Sequence, residues 1–292
     1  MSKLHRNQLL LLLAAAIWGF AFVAQIAGMK HLGPFSFMAA RFGLGCLAVA
    51  PLLFWLAPDS HHRPSWLIPG SLLAGGFLFT GAAFQQVGLQ DTSAANAGFI
   101  TSLYIVLVPL AGLLIGRRAG WPVYSGAALA FGGLYFLSVS DQLTVSKGDW
   151  RQLAGAFAWT GHVFVIGWLS KRCDPIRLAL GQYSVVALLS GIAALALEQP
   201  TFDALGHSWI PIAYTAVLST AVAFTLQIIA QKNVPESQAA LIMSAEAVFA
   251  AFGGWLLLNE VLSLRGYLGC GLMLAGIILA QINLKAGNEK AD

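Results

Sequence analysis

Phe84-Gln-Gln-Val-Gly-Leu-Gln-Asp-Thr-Ser-Ala-Ala-Asn-Ala-Gly-Phe99 realigns, far down the chain, with Leu226-Gln-Ile-Ile-Ala-Gln-Lys-Asn-Val-Pro-Glu-Ser-Gln-Ala-Ala-Leu241. Within one residue of the same offset, Trp18 pairs with Trp159, Pro34 with Pro175, Arg41 with Gln182, Gln85 with Gln227 and Gly133 with Gly276. Two halves of an apolar chain that echo each other imply an internally duplicated membrane protein. An odd number of spans in each half would turn the halves upside down relative to one another. The span count therefore decides the architecture.

Composition makes the bilayer the solvent. Hydrophobic residues are 58% of the 292 and charged residues only 10%, against about 25% charged in a typical soluble domain. A soluble globule could not cover that much apolar surface. The net charge of +4 raises nucleic acid as a partner, but the basic residues are scattered through short loops with no basic face, so none is expected. Three cysteines, Cys46, Cys173 and Cys270, are too few and too widely spaced for a disulfide framework or a metal site.

Ten apolar stretches can be drawn, each near the roughly 20 residues a helix needs to cross the hydrocarbon. They run over 7–28, 34–57, 66–89, 94–116, 121–140, 150–170, 175–197, 209–231, 236–258 and 263–284. Turn chemistry marks the breaks: Gly33-Pro34, Gly120-Trp121-Pro122, Asp174-Pro175 and Val234-Pro235. The first stretch, behind Lys3 and Arg6, is too long for a signal peptide and is read as a retained span. The expected fold class is an all-α polytopic membrane protein, ten transmembrane helices arranged as two inverted five-helix repeats. The repeats occupy 1–140 and 150–285, with an extracytoplasmic (periplasmic) linker at 141–149 and a cytoplasmic tail at 286–292.

Orientation follows from the positive-inside rule. With a cytoplasmic N-terminus, Lys3, Arg6, Arg63, Arg117, Arg118, Lys171, Arg172, Arg177, Lys232, Lys285 and Lys290 lie inside. Lys30, Lys147, Arg151 and Arg265 lie outside, and Arg41 falls within a span. Both termini are thus expected in the cytoplasm of a cell inner membrane.

Several segments carry a resemblance. Ala16-Ile-Trp-Gly19, Pro34 with Ala40-Arg-Phe42, Asn96 through Pro109, and Gly126 through Gly133 stand in the first half. Ser219 through Phe224, Ser244-Ala-Glu-Ala-Val-Phe249 and Leu258-Asn-Glu260 stand in the second. In their order and repetition they resemble the drug/metabolite transporter superfamily, specifically its EamA-type permeases, over nearly the whole chain. One departure is Asn259-Glu260, where many relatives carry Gly-Glu. The resemblance implies export of small metabolites, often amino acids or their derivatives, and sometimes drugs or dyes. It also implies a central cavity surrounded by spans 1, 3, 4, 6, 8 and 9, with 5 and 10 packed outside.

Intramembrane charge is the sharpest residue-level signal, because a lone charge at mid-bilayer costs about 2.5–3.5 kcal/mol even on the lenient insertion scale. Glu246 and Arg41 qualify. Glu246 sits near the middle of span 9, where it would bind a substrate amine or carry a coupling proton, or else merely hydrogen-bond a neighbouring helix. Its repeat equivalent is Tyr104, another polar group at depth. Arg41 could receive a substrate carboxylate, but span 2 is not expected to line the cavity, so it is read as structural. His162 shares a helical face with Trp159 and is either a proton relay or a hydrogen-bonded core histidine.

Polar stripes complete the candidate site. On span 8, Thr220, Phe224, Gln227 and Gln231 recur at α-helical spacing and must face protein or water. Trp18, Phe22 and Gln25 make a shorter stripe on span 1, and Gln85, Asn96, Ser102 and Tyr104 add polar groups on spans 3 and 4. The expected substrate-binding set is Trp18, Phe22, Gln25, Gln85, Asn96, Tyr104, Trp159, His162, Phe224, Gln227 and Glu246. Aromatics interleaved with amides suit a small zwitterion with an apolar or aromatic side chain. The glycines of spans 5 and 10 read as close-packing positions.

No P-loop, His-Glu-x-x-His or Gly-x-Ser-x-Gly pattern occurs, which argues against direct ATP use and against hydrolase chemistry. The expected function is a secondary exporter, with no cofactor, metal or catalytic residue. Its partners are a small-molecule substrate and the bilayer, with protons as a candidate coupling ion and a homodimer as a candidate assembly. A drug or dye efflux permease and an intramembrane lipid-modifying enzyme using Glu246 and His162 are the rival readings.

Overall fold

A computed structural model describes residues 3–55, 64–138, 146–259, 261 and 263–282. Among them every regular element is a helix, and helix occupies each of the ten expected ranges. The spans, numbered in chain order, are Lys3–Gly28, Pro34–Phe54, Leu67–Gly88, Ala94–Leu114, Trp121–Ser138, Lys147–Leu169, Pro175–Leu197, Trp209–Gln231, Glu236–Leu258 and Leu264–Ile282. Seven of them are long and apolar enough to cross a membrane on length and composition alone; spans 5, 6 and 10 are the remainder. Arg63, Glu260, Lys285, Lys290, the tail at 286–292 and the linker before Ser146 lie outside the described residues.

Local chemistry explains the ends. Span 6 starts at Lys147, ahead of the expected 150, because Ser146 and Asp149 form a capping box: Asp149 N donates to Ser146 Oγ at 3.0 Å and Ser146 N to Asp149 Oδ2 at 2.8 Å. Span 7 starts at Pro175, capped by Asp174, whose Oδ1 accepts from the amides of Ile176 and Arg177. Span 2 also starts on a proline, Pro34, but its cap comes from the other half of the chain. The Glu198 carboxylate, at the end of span 7, accepts from Phe35 N at 2.9 Å and Ser36 N at 2.8 Å.

Besides span 2, which is interrupted between Val49 and Leu52, three expected spans are not regular helices. Span 4 breaks into Ala94–Thr101 and Tyr104–Leu114, and span 9 into Glu236–Met243 and Glu246–Leu258. At both breaks the backbone bonds tighten to the i→i−3 pattern, as in Ile105 N to Ser102 O at 2.9 Å and Ala247 N to Ser244 O at 3.1 Å. The two breaks fall at equivalent places in the repeat, and they touch: Ser102 Oγ donates to Ser244 O at 3.3 Å. Span 8 is π-helical from Thr215 to Phe224 and α-helical from Thr225 to Gln231.

Packing is symmetric under exchange of the halves. Span 1 packs on 8 and 9 as span 6 packs on 3 and 4, while 2 with 7, 4 with 9 and 5 with 10 pair across the halves. Spans 5 and 10 show this atom by atom. A Cβ on Gly126 would lie 2.5 Å from Gly276 O, and one on Gly133 would lie 2.5 Å from Gly269 O. Those are one contact and its image, and only glycine fits there.

Among the described residues, two ion pairs tie the halves at separate loops. Arg117, after span 4, meets Glu236 at the start of span 9 at 2.5 Å, and Asp91, before span 4, pairs with Arg151 of span 6.

Candidate functional site

Spans 1, 2, 3, 4, 6, 8 and 9 leave a cavity between the halves. Of the expected residues, Trp18, Gln25, Gln85, Tyr104, Trp159, His162, Phe224, Gln227 and Glu246 line it. Phe22 and Asn96 are not among the lining residues. Phe22 is turned from the Trp18–Gln25 edge into a cluster with Ala94, Ala97 and Ala250, where its ring covers Gly98. Asn96 uses its backbone amide, which donates to the Ser93 cap at 3.1 Å, near the start of span 4.

The aromatic wall centres on Phe224. Its ring lies 4.8 Å from that of Trp18 and 6.0 Å, nearly parallel, from that of Trp159. His162 meets it edge-on at 6.1 Å. The two tryptophans, equivalent in the repeat, differ in their hydrogen bonding. Trp18 Nε1 donates to Ser219 O at 3.1 Å, a carbonyl of the π-helical segment, whereas Trp159 Nε1 has no partner. The π winding also re-aims the expected stripe. With bonding from i to i+5, Ser219 stacks over Phe224 and faces the cavity. Thr220 faces span 2 instead, where a Cβ on Gly45 would meet its methyl at 2.6 Å.

At one end of the polar lining, the helix breaks place Tyr104 and Glu246 at the first positions of their second half-helices. Tyr104 Oη donates to Glu246 Oε1 at 2.9 Å, so the two equivalent residues of the repeat bond each other. An acid at a helix N-terminus is also favoured by the backbone dipole. His162 Nε2 and Gln182 Oε1 lie 3.0 Å apart, which ties the histidine to span 7. Gln227 Nε2 donates to Gln231 Oε1 at 2.8 Å and leaves its own Oε1 without a partner.

Arg41 corrects the sequence expectation that span 2 stays clear of the cavity. Its side chain is long enough to reach in from span 2, and its Nη1 donates to Gln25 Oε1 at 2.8 Å. Ala21, Thr101, Val163, Ser219 and Met243 also line the cavity. Ser219 lay inside a quoted motif; the small and apolar members carried no signal. No group of three or more His, Cys, Asp or Glu that could hold a metal occurs among the described residues.

Comparison with known proteins agrees with this architecture. The model of the EamA-like transporter family matches residues 6–139 and again 146–281. An uncharacterized transporter of Archaeoglobus fulgidus is 32% identical over 94% of this chain and 85% of its own length. A WAT1-related chloroplastic protein of Arabidopsis thaliana is 28% identical over 93% of this chain and 68% of its own. A solved crystal structure, 18% identical, superposes with a TM-score of 0.80 over 97% of this chain and 98% of that one, which establishes a shared fold.

Proposed function

We propose, for a chain that belongs to the EamA-like transporter family, that it is a secondary exporter of small metabolites, foremost amino acids and related compounds. Membership makes it a multi-pass membrane transporter. The finer reading is alternating access between two inverted five-helix repeats, 1–140 and 150–285, with both termini in the cytoplasm of a cell inner membrane.

One observation carries it. Two discontinuous helices, one from each half, meet break to break beside a cavity lined by both halves, and their first residues, Tyr104 and Glu246, bond each other. Discontinuous helices at a repeat interface are how many secondary transporters expose polar backbone and charge at depth. The exchange symmetry of the packing supports rocking of one half against the other about this point. An odd number of helices per half, with the predicted excess of Lys and Arg on one side, supports the inversion.

The test is counterflow of labelled amino acids and of cationic dyes in proteoliposomes of the purified protein. Amino-acid exchange that falls on Trp18→Ala, Gln227→Ala and Glu246→Gln is the expected result. Wild-type flux in all three variants refutes the site, and exchange of dyes alone refutes the substrate class.

A further inference from the structure

The cavity holds one basic and one acidic side chain that do not meet. Arg41 and Glu246 both line it, both are buried at 4% and 5% exposure, and neither makes an ion pair among the described residues. We infer that Arg41 receives the carboxylate of the transported molecule while Glu246 receives its ammonium group, which makes the substrate a zwitterion. This rests on the transporter reading above and deepens it.

Arg41 carries five N–H donors in a planar fork. One goes to Gln25 Oε1, and Nε has no partner. The guanidinium does not snorkel to an interface: it is buried, lies over the ring of Phe42 at 4.6 Å and bonds inward to span 1. Nor does it brace backbone carbonyls, since the acceptor it finds is a side-chain amide. That amide is itself fixed, because Gln25 Nε2 donates to Ala21 O at 3.1 Å and so holds the oxygen toward Arg41. A buried cation with so few acceptors is costly unless a counter-charge arrives. A carboxylate is the group whose two oxygens match the fork.

Two further features point the same way. Trp159 Nε1 is a second unpartnered donor on the cavity wall, and Phe224 with the two tryptophans offers an apolar face for a side chain. The cation is also confined to one half: Gln182, the repeat equivalent of Arg41, is not on the cavity and engages His162 instead. The site is therefore polar end to end, which sets a direction for the bound molecule.

The probes are phenylalanine, phenylalaninamide (no carboxylate) and 3-phenylpropionate (no ammonium), compared by competition in counterflow. Wild type is expected to prefer phenylalanine over both analogues. Arg41→Gln should raise the half-maximal concentration for phenylalanine by about 10-fold or more, the scale of a lost hydrogen bond to a charged group. Phenylalaninamide should stay within about twofold of wild type. Gln25→Glu guards against misfolding of the first variant: it supplies an internal carboxylate at the 2.8 Å position and should abolish the same preference with Arg41 in place. Retention of the wild-type preference in both variants overturns the assignment and leaves the transporter standing. Wild-type exchange of an analogue but not of phenylalanine overturns the zwitterion. A wild type that exchanges no amino acid and no dye overturns the exporter reading itself.

Discussion

The bond between Tyr104 and Glu246 joins two equivalent residues of the repeat at 2.9 Å, with exposures of 4% and 5%. Its strength is open to direct measurement. The perturbation is a double-mutant cycle of Tyr104→Phe, Glu246→Leu and the double variant. Interhelical hydrogen bonds in a bilayer average about 0.6 kcal/mol and reach about 1.7 kcal/mol, since the unfolded chain in the membrane also finds partners. This one should lie near the upper figure for a structural reason. It joins two helix breaks whose tightened turns already consume the neighbouring backbone donors, so the separated side chains have few alternative partners. The neighbouring bond from Ser102 Oγ to Ser244 O crosses the same junction, so loss of one loosens the other. Tyr104→Phe keeps the ring and removes only the donor, and Glu246→Leu removes the acceptor at similar volume. The assay is reversible unfolding in mixed micelles, with the coupling energy read from the four variants. A coupling of about 1.5 kcal/mol is expected. A value under about 0.5 kcal/mol would mean that the breaks are held apart by packing alone, and the reasoning about their junction would fail.

Two structural predictions accompany it. Gly126→Val should cost about 1–3 kcal/mol, because its Cβ would lie 2.5 Å from Gly276 O between backbones that cannot yield. Gly132→Val on the same span has nothing within 4 Å and should leave the thermal midpoint unchanged, so equal melting of the two variants refutes the packing of spans 5 and 10. Glu198→Gln removes one of the two carboxylate oxygens that cap span 2 and should cost about 1 kcal/mol in thermal unfolding. An unchanged midpoint would show that the cap adds nothing across the halves.

Much of the fold was legible because bilayer thickness sets the length of an apolar run, and the turns carry proline and glycine at places such as Gly33-Pro34 and Asp174-Pro175. The breaks at Ser102-Leu103 and Ser244-Ala245 were not. Neither contains glycine or proline, and what sustains them is a bond to the opposite break, which exists only in three dimensions. The stripe on span 8 was drawn at α spacing, whereas π winding, which leaves no mark in composition, turns Ser219 and not Thr220 to the cavity. Phe22 lies only about 40° round the helix from Trp18, but its ring packs into the cluster of Ala94, Ala97 and Ala250 and not onto the cavity. Arg41 stood out as an intramembrane charge but was read as structural, because the reach of its side chain, not the position of its helix, brings it to the cavity.

The π-helical run from Thr215 to Phe224 has a mechanical consequence. A chain wound with bonds from i to i+5 is shorter and wider than the same residues wound α-helically. Span 8 thus carries slack. Rewinding it would lengthen the span, turn Phe224 and Gln227 about its axis and shift one end of the span relative to the other. It would also shift Ser219 O away from Trp18 Nε1, the bond that now pins the slack in place. An indole of the opposite half thus holds the π-wound form of the span, and its rewinding is coupled to whatever displaces Trp18 from within the cavity.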